Sequence, residues 1–170
     1  MFLNYIKEFF VKKSLKKNLS SAKNEVFTRN VQTIGLLVDE SNFRFSKELI
    51  KELISQGIAS EKIEIVVFRN KFKEKKTYSR PTFGKKHINW KGEISVDFLS
   101  EFTEREFDLL ISYYDLEKTI LKLITSKSKA KFKVGFSSVD LKLNRWMIDT
   151  KMENYKLFIS ELFTYLKRIK

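Results

Sequence analysis

Two apolar segments constrain this chain more than anything else in it: Phe107-Asp108-Leu109-Leu110-Ile111-Ser112-Tyr113 and Ala130-Lys131-Phe132-Lys133-Val134-Gly135-Phe136. Both read as strands, short and largely apolar as strands buried on both faces are. Between them Leu116, Ile120, Leu123 and Ile124 recur at helical spacing. Strand, crossover helix and strand form the repeating unit of a parallel α/β sheet, and its crossover is right-handed in nearly all proteins.

The remainder can be laid beside that unit. Thr33–Val38 is a nearly continuous apolar run, a first strand, with Asp39-Glu40-Ser41-Asn42 at its carboxyl end. Phe45, Leu49, Ile50, Leu53 and Ile54 then keep helical spacing up to a stop at Gly57. Ile63–Phe68 is the second strand. His87–Trp90 is expected as a short third strand, and Asp97–Phe107 as a helical turn or two. Trp146–Ile148 reads as a last strand, and a closing helix covers roughly 153–169 on Tyr155, Phe158, Ile159, Leu162, Phe163, Leu166 and Ile169. The alternation predicts a single α/β domain over 31–170. Its sheet is open, mostly parallel and of about five to six strands, with helices on both faces in a three-layer, Rossmann-like or flavodoxin-like arrangement. A chain of 170 residues can bury a real core. With 16 Phe, that core is expected to be Phe-rich.

The net charge of +13 is unevenly placed. Residues 1–30 carry +5 and residues 67–91 carry +8, whereas 31–66 and 92–170 carry −2 and +2. Such a localised excess is the footprint of a polyanion or an anionic surface. Lysine is also enriched in chains from AT-rich genomes, so position matters more than number. Residues 1–30 read as a basic amphipathic helix and linker. Phe2, Leu3, Ile6, Phe9, Phe10, Leu15 and Leu19 line one side, with Lys7, Lys12, Lys13, Lys16 and Lys17 filling the rest. That stripe is expected to pack on the domain; the alternative for residues 1–19 is a helix lying on an anionic membrane surface or in an RNA groove.

The internal basic loop, 69–91, is the strongest functional signal. Arg69, Lys71, Lys73, Lys75, Lys76, Arg80, Lys85 and Lys86 are the expected phosphate contacts, and Tyr78, Phe83 and Trp90 the rings for stacking on unpaired bases. The competing reading is a solvated loop whose aromatic residues anchor it to the core.

A second candidate is the crevice beyond the carboxyl ends of the strands. It would be lined by Asp39, Asn42, Asp115, Ser137, Ser138 and Asp149. Carboxylates from separate strands can hold a divalent cation or act as acid and base; Asp and Ser after strands equally well cap the next helix.

Several chemistries lose support. There is no cysteine, hence no disulfide and no thiolate metal site, in keeping with a reducing cytoplasm. His87 is the only histidine, so no multi-histidine metal site is expected. Neither G-x-G-x-x-G nor a Walker loop occurs, and no cofactor is expected. A Ser137, His87 and Asp115 triad can be written down, but no nucleophile elbow supports it. No apolar run reaches membrane-spanning length and no signal-peptide order is present, so a soluble cytoplasmic protein is expected.

Taken together, Phe107–Ile111, Ser128-Lys129-Ala130-Lys131-Phe132-Lys133-Val134-Gly135 and Lys85-Lys86-His87-Ile88-Asn89-Trp90-Lys91-Gly92 resemble an uncharacterised family of flavobacterial and related Bacteroidota proteins. That family is a domain of unknown function of about this length, and the resemblance implies no activity. A weaker similarity is to one half-domain of GT-B-type sugar transferases. The Asp39-Glu40 pair also resembles the acidic pocket of phosphoacceptor receiver domains, but the central strand lacks the phosphoacceptor aspartate and that reading is rejected. The leading expectation is a non-enzymatic protein that contacts RNA, on the ribosome or elsewhere, through the basic loop and the N-terminal helix. The alternatives are a small-molecule or metal-binding domain using the strand-end carboxylates, and a peripheral membrane or protein-interaction module using the N-terminal helix.

Overall fold

Strand β1 (Ile34–Asp39) is buried along its whole length, which is the position its unbroken apolar run demands. It pairs in parallel with β2 (Ile63–Phe68) on one side and with β4 (Leu109–Tyr113) on the other. The computed structural model describes Lys12, Lys13 and residues 30–139 and 142–169. The N-terminal amphipathic helix expected over 2–19 lies outside the described residues apart from those two lysines.

With β3 (Thr82–Phe83), β5 (Phe132–Phe136) and β6 (Trp146–Ile148), the sheet has six strands in the order β3-β2-β1-β4-β5-β6. Every pairing is parallel. This is the doubly wound order of dinucleotide-binding domains rather than the flavodoxin order, and it places the point where the strand order reverses between β1 and β4. Among residues 30–139 and 142–169, four α-helices flank it: α1 (Ser46–Ser55), α2 (Asp97–Glu104), α3 (Thr119–Lys127) and α4 (Tyr155–Arg168). α1 packs beside α4 and α2 beside α3, as right-handed crossovers running in opposite directions from the centre require. The result is the expected three-layer α/β fold.

Two local expectations need correction. The third strand is Thr82–Phe83, not His87–Trp90. Phe83 is the ring the core can bury, against Phe68 at 5.5 Å, whereas Lys85–His87 turns as a 3-10 helix and Ile88 bridges antiparallel to Ile94. Leu116 is 55% exposed, because α3 starts only at Thr119 and leaves it outside the helical face.

The two halves of the core differ in chemistry. Under α1 and α4, Tyr113 is ringed by Phe43, Phe136 and Phe158 at 5.0–5.1 Å, and its hydroxyl donates to the Met152 carbonyl at 2.6 Å. Burial pushes that hydroxyl well above the ordinary tyrosine range. On the other face, Phe102 packs on Phe107 at 5.1 Å, and the ring of Phe107 lies where a Cβ on Gly35 would stand. At the amino edge, Asp108 accepts from the Gln32 and Thr33 amides at 3.0 Å and from Lys131 at 2.8 Å, fastening β1, β4 and β5. Burial alone would raise the Asp108 carboxyl; these bonds overrule it and hold the carboxyl below its usual range.

Beneath α3 runs a polar strip. Ser112 and Tyr114 both reach the Thr125 hydroxyl, at 3.1 and 2.8 Å, and the Lys133 ammonium donates to the Thr125 carbonyl at 2.8 Å. Burial pushes the Lys133 amine down to about 8. Its folded value lies below the unfolded one, so its stability contribution is complete only above the unfolded lysine value and is lost as pH falls towards 8. Urea unfolding should therefore show stability rising between about pH 8 and 10. Lys133→Met should flatten that rise and, after loss of the bond to Thr125, stabilise the domain at pH 7 by about 1–2 kcal/mol. An unchanged pH profile in that variant would show that another group is responsible.

Candidate nucleic-acid interface

β2 delivers its carboxyl end at Phe68, and the chain then makes an excursion over 69–81 before re-entering the sheet as β3. Proline at 81 suits that re-entry, since it lacks an amide proton but offers its carbonyl to Val67 at 2.9 Å. Arg69 closes the far side by donating to the Phe83 carbonyl at 3.0 Å. The basic loop is thus bound into the carboxyl edge of the sheet at both ends.

Its interior is aromatic. Phe72 stacks on Tyr78 at 5.3 Å, and His87 meets Phe72 edge-on at 4.6 Å. The Tyr78 hydroxyl accepts from the Lys73 amide at 3.0 Å. His87 Nδ1 accepts from the Gly84 amide at 3.1 Å, which requires the neutral imidazole with its proton on Nε2. Burial, then Lys86, keep the His87 imidazole below its usual value against the opposing pull of Glu74. Gly84 has no room for a side chain: a Cβ there would come within 2.5 Å of the Phe72 Cβ. Cations close over the rings, with Arg69 and Lys76 at 5.7 and 5.6 Å from the Tyr78 centroid and Lys86 at 5.0 Å from that of Phe72.

Acidic residues then sort the cations into two groups. Glu40, after β1, takes Arg69 at 2.5 Å and Arg80 at 3.4 Å, and Glu74 pairs with Lys86. Those three are engaged in holding the loop. Lys71, Lys73, Lys75 and Lys76 are exposed and have no acidic partner among the described residues. Lys85 is exposed as well. Of the three rings expected to stack, Phe83 is fully buried in β3, Tyr78 is half-buried against Phe72, and Trp90 is 48% exposed. The contribution of Glu40 was the part missed; its only one-dimensional trace is an acidic pair in a net-negative segment facing a strongly positive one.

The strand-end crevice is occupied differently. Asp39 is 5% exposed, pairs with Lys118 and accepts from the Ser41 amide at 3.0 Å. The Lys118 ammonium also lies 5.2 Å from the Phe68 ring centroid. Asn42 is exposed. Ser137 donates to Asp149 at 3.0 Å, and Ser138 to the Asp115 carbonyl at 2.7 Å. Ser137 and His87 follow β5 and β3, four interstrand spacings apart, which is about 19 Å and far beyond triad geometry. Among the described residues, no three acidic or histidine side chains converge in a way that could hold a metal.

A family model matches residues 7–169, almost the entire chain. The chain belongs to DUF6913, a family of unknown function. Neither the curated proteins nor the solved structures contain a match to it. The functional reading of this DUF6913 chain therefore rests on its own geometry. Among the described residues, no helix is long and apolar enough to cross a membrane.

Proposed function

We propose that this protein is a cytoplasmic binding module for RNA, gripping the phosphate backbone with the folded loop at the carboxyl edge of the sheet. The observation that carries the reading is the four exposed lysines, 71, 73, 75 and 76, without carboxylate partners among the described residues, on a loop whose shape is fixed by Phe72, Tyr78, His87 and Glu40. An ordered row of uncompensated ammonium groups costs self-repulsion, and a polyanion relieves it by counterion release. A membrane surface fits less well. Phe72, Tyr78 and Phe83 are turned into the loop or core, so of the loop's large rings Trp90 alone is exposed, too little apolar surface for membrane insertion.

Four phosphate contacts on a single strand imply a salt slope of about −3. Binding of total cellular RNA, measured by filter retention, is therefore expected to fall about 50-fold between 50 and 200 mM salt. Replacing Lys71, Lys73, Lys75 and Lys76 together by Ser should abolish both the binding and its salt dependence, without changing the thermal midpoint. RNA binding that ignores the fourfold substitution would overturn the assignment of the site.

A further inference from the structure

The basic loop is closed on a single titratable ring. His87 is the only histidine in the chain, and its Nδ1 accepts from the Gly84 amide at 3.1 Å. A ring nitrogen that accepts carries no proton, so this contact exists only while the imidazole is neutral. The amide it satisfies belongs to a buried glycine, wedged so tightly that a Cβ there would come within 2.5 Å of the Phe72 Cβ and 3.3 Å of the Arg69 carbonyl. The same imidazole stands edge-on to Phe72 at 4.6 Å. Phe72 in turn stacks on Tyr78, whose hydroxyl accepts from the Lys73 amide at 3.0 Å. One run of contacts thus leads from the ring nitrogen to the backbone that presents Lys71, Lys73, Lys75 and Lys76.

A proton on Nδ1 would set two N–H groups face to face. Gly84 has no room to withdraw towards Phe72 or the Arg69 carbonyl, so the ring must turn away and leave a buried amide without its acceptor. The charged groups that act on the imidazole are Lys86, from its own turn, and Glu74, from the loop. The segment behind it brings Ser95, whose amide and hydroxyl donate to the His87 carbonyl at 2.9 and 3.1 Å. Glu74 favours the proton but is outweighed by burial and then Lys86, which hold the imidazole below its usual value. The stabilising contact is therefore complete above the unfolded histidine value of about 6.5 and is lost as pH falls through the lower, folded one. We propose that His87 is a pH latch on the basic loop: neutral, it holds residues 70–80 in one ordered shape, and protonated, it lets them open while the sheet stays folded. The ends of the loop are secured independently. Val67 and Arg69 donate to the Pro81 and Phe83 carbonyls at 2.9 and 3.0 Å, and Phe83 is buried in the core. Any polyanion would meet a fixed row of lysines on one side of the transition and a loosened one on the other, so the latch does not depend on RNA being the ligand.

Nuclear magnetic resonance of the full chain tests it, because a lone histidine gives a single titration curve. As pH is lowered from about 8 to about 5, the Gly84 and Lys73 amide signals are expected to move with the midpoint of the His87 ring. Hydrogen exchange at Gly84, corrected for its intrinsic pH dependence, should quicken about 10-fold over the same transition. The Val67 and Arg69 amides should keep their protection, which marks the opening as local. His87→Gln offers Gly84 a neutral carbonyl acceptor and should show no transition in this range. His87→Ala should exchange Gly84 quickly throughout while melting near the parent protein, which separates an open loop from an unfolded domain. An imidazole that titrates without faster exchange at Gly84 would overturn the proposal, as would a transition that persists in His87→Gln.

Discussion

Lys118→Met is expected to destabilise the domain by about 2–4 kcal/mol. The variant strands the Asp39 carboxylate, itself 5% exposed, without its counter-ion. The figure lies towards the lower end for breaking a buried pair, since the Lys118 side chain keeps 17% of its surface in water. Asp39→Asn in the same background removes the stranded charge and should recover most of the loss. Urea unfolding of the two single variants and the double variant gives the coupling directly. Additive losses would mean that the pair contributes nothing as a pair, and that the short contact between β1 and the start of α3 does not secure the centre of the sheet.

Gly35→Ala should be at least as damaging, at about 3 kcal/mol. A Cβ at this position would stand 2.6 Å from the Phe107 ring, and neither partner can retreat. Gly35 is in the central strand between Glu64 and Leu110, and Phe107 is 2% exposed against Phe102. The ring is thus packed directly onto a bare stretch of backbone. Shortening the ring should relieve the clash, so Gly35→Ala with Phe107→Leu is expected to melt above Gly35→Ala alone. A single variant that melts with the parent protein would show that the helix layer yields more readily than its packing suggests.

The fold was legible because its strands declare themselves by unbroken apolar runs and its helices by spacing. Both signals come from burial, and burial is what the sheet's centre imposes. Legibility faded where an element was too short to have a period. Thr82–Phe83 is two residues long, so nothing in the loop distinguished Phe83, which belongs to the core, from Trp90, which stays 48% exposed. Leu116 misled for a related reason: it keeps helical spacing with Ile120 and Leu123 but precedes the first helical turn. The charges of the loop were legible as a total. Which of them are already taken was not, since the answer lies with Glu40, 29 residues before Arg69 and 40 before Arg80. The Asp39–Lys118 pair, 79 residues apart, left no local trace at all.

The strand order also sets a timetable for synthesis. β1 can pair with β2 soon after both emerge, but its other neighbour follows far later, with Ile34 set opposite Leu109. At about 5–20 residues per second, the ribosome takes roughly 4–15 s to make the intervening chain. Throughout that interval one side of a largely apolar strand has unpaired amides and carbonyls beside Leu36, Leu37 and Val38. Nascent chains on the same messenger offer each other identical edges, and the yield of folded protein should depend on how well that wait is chaperoned.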